Sequence, residues 1–120
     1  MVKTRLATVC RLLNKKRVRY VVVGGEACIL HGLTRTTEDI DIFVEKNLSN
    51  VTKTLDALSG LRWGIAKEID PESVLKKPFT IVGDQPRVDI LTALHAVSFQ
   101  EAWSRRKTQV IEGVRIPYLD

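Results

Sequence analysis

The stretch Asp39-Ile40-Asp41-Ile42-Phe43-Val44 alternates polar and apolar residues, the pattern of a β-strand with one face in a core and the other turned outward. Upstream, Tyr20 to Val23 is a short β-branched run halted by Gly24 and Gly25, which predicts a buried strand leading into a tight turn. A helix is expected from Glu26 to about His31, closed by Gly32, with the polar Thr34 to Glu38 leading into the acidic strand. Further back, Leu6, Val9, Cys10, Leu12 and Leu13 recur at helical spacing between Thr4 and Lys16, and basic residues close that helix where the macrodipole favours cations. Downstream, Asn47 or Ser49 can cap a helix running to about Leu58, with Gly60 at its end. Strands are expected over Arg62 to Ala66, Phe79 to Val82 and Arg87 to Leu91, the last two joined by a turn at Gly83-Asp84-Gln85-Pro86. A short helix from Phe99 to Arg106 and a terminal hairpin over Gln109 to Ile116, turning at Glu112-Gly113, complete the chain. This order predicts an α/β (α+β) fold, a mixed β-sheet flanked by helices.

The chain has 120 residues, enough for one compact core and too few for two ordinary domains, so residues 1–120 are expected to form one. It is 44% hydrophobic and 28% charged with the charges interspersed, which excludes a disordered chain. No apolar run reaches the ~18 residues of a membrane span and the N-terminus lacks a signal-peptide pattern, so a cytoplasmic protein without membrane attachment is expected. Cys10 and Cys28 have no metal-site spacing and read as reduced, buried small hydrophobes. The formal charge of +5 suits polyanionic partners in general. Its densest source, Lys15, Lys16, Arg17 and Arg19, reads first as the solvated end of a helix and second as a nucleic-acid contact.

Asp39 and Asp41, two apart on a strand, leave the same face, while Ile40, Ile42 and Val44 enter the core. Two like charges ~4 Å apart repel by about 4 kcal/mol at an effective dielectric near 20. A hard cation with oxygen ligands removes that cost. Asp89, in Arg87-Val88-Asp89-Ile90-Leu91, can supply a third carboxylate if its strand pairs beside the first, giving the arrangement that holds two metal ions for phosphoryl displacement. The plainer reading of any single Asp-x-Asp is a strand with solvent-facing acids. Gly24 and Gly25, between a strand and a helix, would let backbone N–H groups approach a phosphate beside that site; alone they are simply a tight turn.

Taken together, Val22-Val23-Gly24-Gly25-Glu26-Ala27, His31-Gly32, Arg35, Thr36-Thr37, Asp39-Ile40-Asp41-Ile42-Phe43 and Val88-Asp89-Ile90-Leu91 resemble the nucleotidyltransferase superfamily of DNA polymerase beta type. The nearest likeness is to its small bacterial branch of minimal and abortive-infection type toxin nucleotidyltransferases, where thirteen residues between the second glycine and the first acid is a similar spacing. The resemblance spans Tyr20 to Leu91 and, more loosely, the whole chain. It implies a nucleotidyltransferase-like fold and transfer of a nucleoside monophosphate from a nucleoside triphosphate, ATP among them, with release of pyrophosphate. It further implies that Asp39 and Asp41 bind two Mg²⁺ (or Mn²⁺) ions and that Asp89 joins the acceptor-side ion and helps deprotonate the attacking hydroxyl. Gly24 and Gly25 would cradle the β and γ phosphates, Arg35 would neutralise developing phosphate charge, and Thr37 would donate to the nucleotide. Many relatives have serine after the first glycine, where this chain has Gly25 and then Glu26.

The acceptor implied is an RNA such as tRNA, a protein or a small molecule. The implied protein partners are a second copy of the chain or a cognate toxin or antitoxin. Larger relatives carry a following helical domain that grips the acceptor, which is not found within 1–120. The competing function is a catalytically inactive nucleotidyltransferase-like module that binds nucleotide, nucleic acid or a toxin or antitoxin; a metal-dependent phosphodiesterase is a third, for which His31 and His95 offer few ligands. Lys76 and Lys77 read as exposed loop lysines with phosphate contact as the alternative. Trp63 and Trp103 read as core or half-buried aromatics.

Overall fold

The structure is a computed structural model that describes residues 4–24 and 39–119. The helix expected from Glu26 to His31, and with it Gly25, Cys28, Arg35 and Thr37, lies outside the described residues.

Helix α1 (Arg5–Lys15) starts where Thr4 accepts a hydrogen bond from the Ala7 amide, and it buries Leu6, Ala7, Val9, Cys10 and Leu13 on one face. Strand β1 (Tyr20–Val23) is buried along its whole length, and Gly24 turns the chain at φ +75°. Strand β2 (Asp39–Val44) runs antiparallel to β1, followed by α2 (Leu48–Leu58), capped by Asn47 accepting from the Asn50 amide. A 3-10 turn (Ile65–Glu68) and a short helix α3 (Pro71–Leu75) lead to β3 (Phe79–Val82) and β4 (Arg87–Leu91), then α4 (Phe99–Arg105), β5 (Lys107–Ile111) and β6 (Val114–Tyr118). Among the described residues six strands form one mixed sheet in the order β3-β4-β2-β1-β6-β5, in which β2–β4 and β1–β6 are parallel pairs. This is the mixed sheet with flanking helices that the element order predicted.

Sheet alternation divides the interior in two. Val22, Ile40, Ile42, Val44, Val88, Ile90 and Ile116 face α1 and α2 and form the larger core with Leu6, Leu13, Val51, Leu55 and Leu58. On the opposite face Val21, Val23 and Phe43 pack with Ala102 of α4. Phe99 meets Phe43 edge-on at 5.4 Å and lies near-parallel to Trp103 at 5.8 Å. Buried Asn50 ties α2 to the strands: its side chain accepts from the Arg19 amide at 2.8 Å and donates to the Arg19 and Glu45 carbonyls, each at 3.0 Å.

Two expectations are corrected. Arg62 to Ala66 is not a strand: Gly64 adopts φ +66°, and the Trp63 and Ile65 amides donate to the Asp84 carboxylate at 2.9 and 3.0 Å instead of to a neighbouring strand. Trp63 is 59% exposed, outside the core range expected of it, because this turn points it outward. Helix α3 is an addition to the expected elements, although Asp70 as cap and Pro71 at the first helical position are its ordinary signals.

Candidate active site

The β2–β4 register sets Asp41 opposite Asp89 and Asp39 opposite Arg87. The neighbouring pairs Ile40–Val88 and Ile42–Ile90 point the other way, into the larger core. Burial of those apolar pairs therefore fixes the face on which the carboxylates emerge, since a pleated strand cannot bury Ile40 and Ile42 without turning Asp39 and Asp41 outward.

On its other side Asp41 is partnered by Val23, the last residue of β1, and the chain then turns at Gly24. A Cβ placed on Gly24 would lie 2.6 Å from Asp41 Oδ2. Glycine is required here twice, by the left-handed φ and by the close carboxylate. Gly24, Asp41 and Asp89 are thus brought together, while the places of Gly25, Arg35 and Thr37 fall outside the described residues.

Arg87, which sequence reasoning passed over, completes the described cluster. Its Nε donates to Asp89 Oδ1 at 3.0 Å and its Nη2 to Oδ2 at 3.3 Å, and Nε stands 3.6 Å from Asp39 Oδ1. Residues two apart on a strand share a face, so the Arg87–Asp89 pairing was available from spacing alone; its reach to Asp39 depends on the strand register. Burial, then the charges of Asp89 and Asp39 and a hydrogen bond with Asp89, push the Asp41 carboxyl above its usual range, against the smaller pull of Arg87. Among the described residues one guanidinium faces three carboxylates, which leaves that group short of positive charge.

Asp41 and Asp89 are partly buried, and Asp39, drawn toward Arg87, is about half exposed. Among the described residues no three His, Cys, Asp or Glu side chains are gathered at metal-ligating separation. The donors nonetheless fit a hard divalent cation: they are carboxylate oxygens, adjacent across two strands, and under-neutralised. For Asp39 to join the Asp41–Asp89 pair, Arg87 has to release it.

A family model described as nucleotidyltransferase of unknown function (DUF6036) matches residues 4–119. The chain belongs to that family. The nucleotidyltransferase resemblance carried by the glycine turn and the acidic strands is thereby borne out, together with a mixed-sheet fold consistent with it. No curated protein and no solved structure matches the chain.

Of the other residues singled out in this nucleotidyltransferase-family chain, His95 is exposed in the turn after β4, and Lys76 and Lys77 are exposed where α3 ends. None of these is among the ion-pair partners of the described carboxylates. Cys10 is buried in the core, as expected. Among the described residues no helix is long and apolar enough to cross a membrane.

Proposed function

We propose that this chain is a metal-dependent nucleotidyltransferase that moves a nucleoside monophosphate from a nucleoside triphosphate to a hydroxyl or amine and releases pyrophosphate. The observation that carries the reading is the register pairing of Asp41 with Asp89, with Gly24 packed bare against the Asp41 carboxylate. Asp39, Asp41 and Asp89 would hold Mg²⁺ or Mn²⁺, which when bound supplies Lewis-acid stabilisation of phosphate charge and lowers the pKa of the attacking group. Asp41 and Asp89 orient the acceptor oxygen against the transferred phosphorus. Gly24, followed by Gly25, admits the triphosphate to within backbone hydrogen-bond distance beside them. Arg35 and Thr37 would contact the phosphates and the nucleotide from the segment preceding β2. Arg87, freed from Asp39 and Asp89, has a guanidinium fork that matches a phosphate.

A second reading, a nucleotide-binding module without turnover, is favoured by one observation: Arg87 already satisfies Asp89 and reaches Asp39. Incubation with Mg²⁺ or Mn²⁺ and each labelled nucleoside triphosphate separates the two, with total tRNA, the protein itself and aminoglycosides as acceptors. Label transfer is expected, and Asp39→Ala or Asp41→Ala should reduce it by about two orders of magnitude or more, the usual cost of losing one electrostatic stabiliser of a transition state. Transfer that survives both substitutions refutes the assigned residues. Metal-dependent triphosphate binding with no transfer establishes the module instead.

A further inference from the structure

At the end of the sheet away from Gly24, four features converge that nucleotidyl transfer at the aspartates does not use. Trp103 of α4 carries two guanidinium groups, with Arg106 Cζ 3.8 Å and Arg19 Cζ 4.6 Å from the ring centroid. Arg106 and Arg115, together with Asn14, Tyr20 and Thr108, line an open cavity of about 220 Å³ beside that indole. Arg19 is offset by Glu45, whose Oε1 lies 3.2 Å from its Nε, but among the described residues neither Arg106 nor Arg115 has an acidic partner. The exposed run Lys15, Lys16 and Arg17 closes α1 and continues past its end, next to Asn14.

Cations gathered without acids repel one another, so their placement calls for a polyanion. Stacking on indole fixes the plane of a guanidinium; Arg106 Nη1 donates to the Trp103 carbonyl at 2.6 Å, and the rest of its in-plane N–H edge is left to fork onto phosphate oxygens. Trp103 is already packed against Phe99 and both arginines. It is therefore a platform for the arginines and not a face for a base, which points to recognition of phosphate charge and not of sequence.

Position adds the second argument. Arg19, Val21 and Val23 alternate onto one face of β1, and Val23 is the register partner of Asp41. Arg115 alternates onto the same face of β6, opposite to buried Val114 and Ile116. Arg115 of the basic cavity and the carboxylates thus share a sheet face, four residues along and two strands across from one another, or about 16 Å at ~3.3 Å per residue and ~4.8 Å per strand. A few nucleotides of single strand bridge that gap.

We infer that this cavity is a phosphodiester-binding site for a single-stranded RNA end, holding the acceptor while its terminal hydroxyl reaches Asp41 and Asp89. The inference deepens the proposed transfer reaction by naming its acceptor class, and rests on that reading for what happens at the aspartates.

The test is fluorescence anisotropy of a fluorescein-labelled single-stranded oligoribonucleotide with the full chain, in the absence of triphosphate and metal, so that RNA binding is read whether or not the protein transfers nucleotides. Arg106→Glu with Arg115→Glu should weaken binding at least tenfold and flatten the plot of log affinity against log salt by about 1.4, at ~0.7 for each single-strand phosphate that is no longer neutralised. Arg106→Lys with Arg115→Lys, which keeps the charge but loses the fork, should weaken binding less than the double glutamate variant does. Undiminished binding by the double glutamate variant, with circular dichroism showing it folded, overturns the assignment. So does inorganic triphosphate that displaces the RNA at concentrations near the RNA's own Kd, since that marks a pocket for small polyphosphates.

Discussion

Arg87 stands on the strand where Asp89 needs a counter-charge and, through the β2–β4 pairing, within reach of Asp39 as well. Its pairing with Asp89 also raises its own pKa, so it remains a cation throughout the working pH range. A metal ion and Arg87 therefore compete for the same oxygens. Arg87→Gln, which removes the charge and keeps a hydrogen-bonding head, is expected to tighten Mn²⁺ binding several-fold in isothermal titration calorimetry. Weaker binding would mean that Arg87 organises the carboxylates for the metal instead of withholding them. The acids themselves were legible in the sequence, because Asp39 and Asp41 interrupt an apolar strand at period two and Asp89 repeats the motif. Arg87 was not, because its hold on Asp39 is a relation between two strands whose register no local pattern specifies.

At the scale of elements, the strands with β-branched cores declared themselves, and the caps at Thr4, Asn47 and Ser98 set the helix starts within a residue of expectation. The failure at Arg62 to Ala66 has one physical origin. Asp84, 4% exposed and nineteen to twenty-one residues further on, collects the Trp63, Ile65 and Gln85 amides and turns a β-prone run into a loop. Burial by itself would raise the Asp84 carboxyl, but the N–H groups of Trp63, Ile65, Gln85 and Gly64 outweigh it and hold the group below the usual carboxylate range. A carboxyl whose folded pKa is depressed stabilises fully above its unfolded value, near 3.9 for Asp, and loses that contribution as pH falls through the folded value. Asp84→Asn is expected to cost about 2 kcal/mol at neutral pH, the scale of hydrogen bonds to a charged group. In urea unfolding, the gap between wild type and variant should be constant above about pH 5 and narrow below about pH 4. A gap that widens in acid would show that Asp84 is not held ionised.

At the scale of the whole molecule, the described residues place two unequal layers on the sheet, a broad one under α1 and α2 and a narrow one under α4. Ile42 and Phe43 are adjacent and both essentially buried, yet each belongs to a different layer. Truncation of either side chain to alanine costs roughly 2–5 kcal/mol by cavity formation. The distribution should differ: Ile42→Ala lowers amide protection across α1 and α2, whereas Phe43→Ala, which removes the edge contact to Phe99, speeds exchange in α4 while α1 and α2 stay protected. Hydrogen exchange read by mass spectrometry decides this, and uniform loss of protection in the Phe43 variant would show that the layers unfold as one.

The parallel pairing of β2 with β4 also has a consequence for how the chain reaches its native state. Were β4 to dock one residue out of step, with its pleat inverted relative to β2, Val88 and Ile90 would trade places with Arg87 and Asp89, putting ionised groups under α1 and α2 and aliphatic ones in water. The residues proposed for chemistry thus double as proofreaders of strand alignment: their charge makes the mis-docked sheet the costliest one to bury.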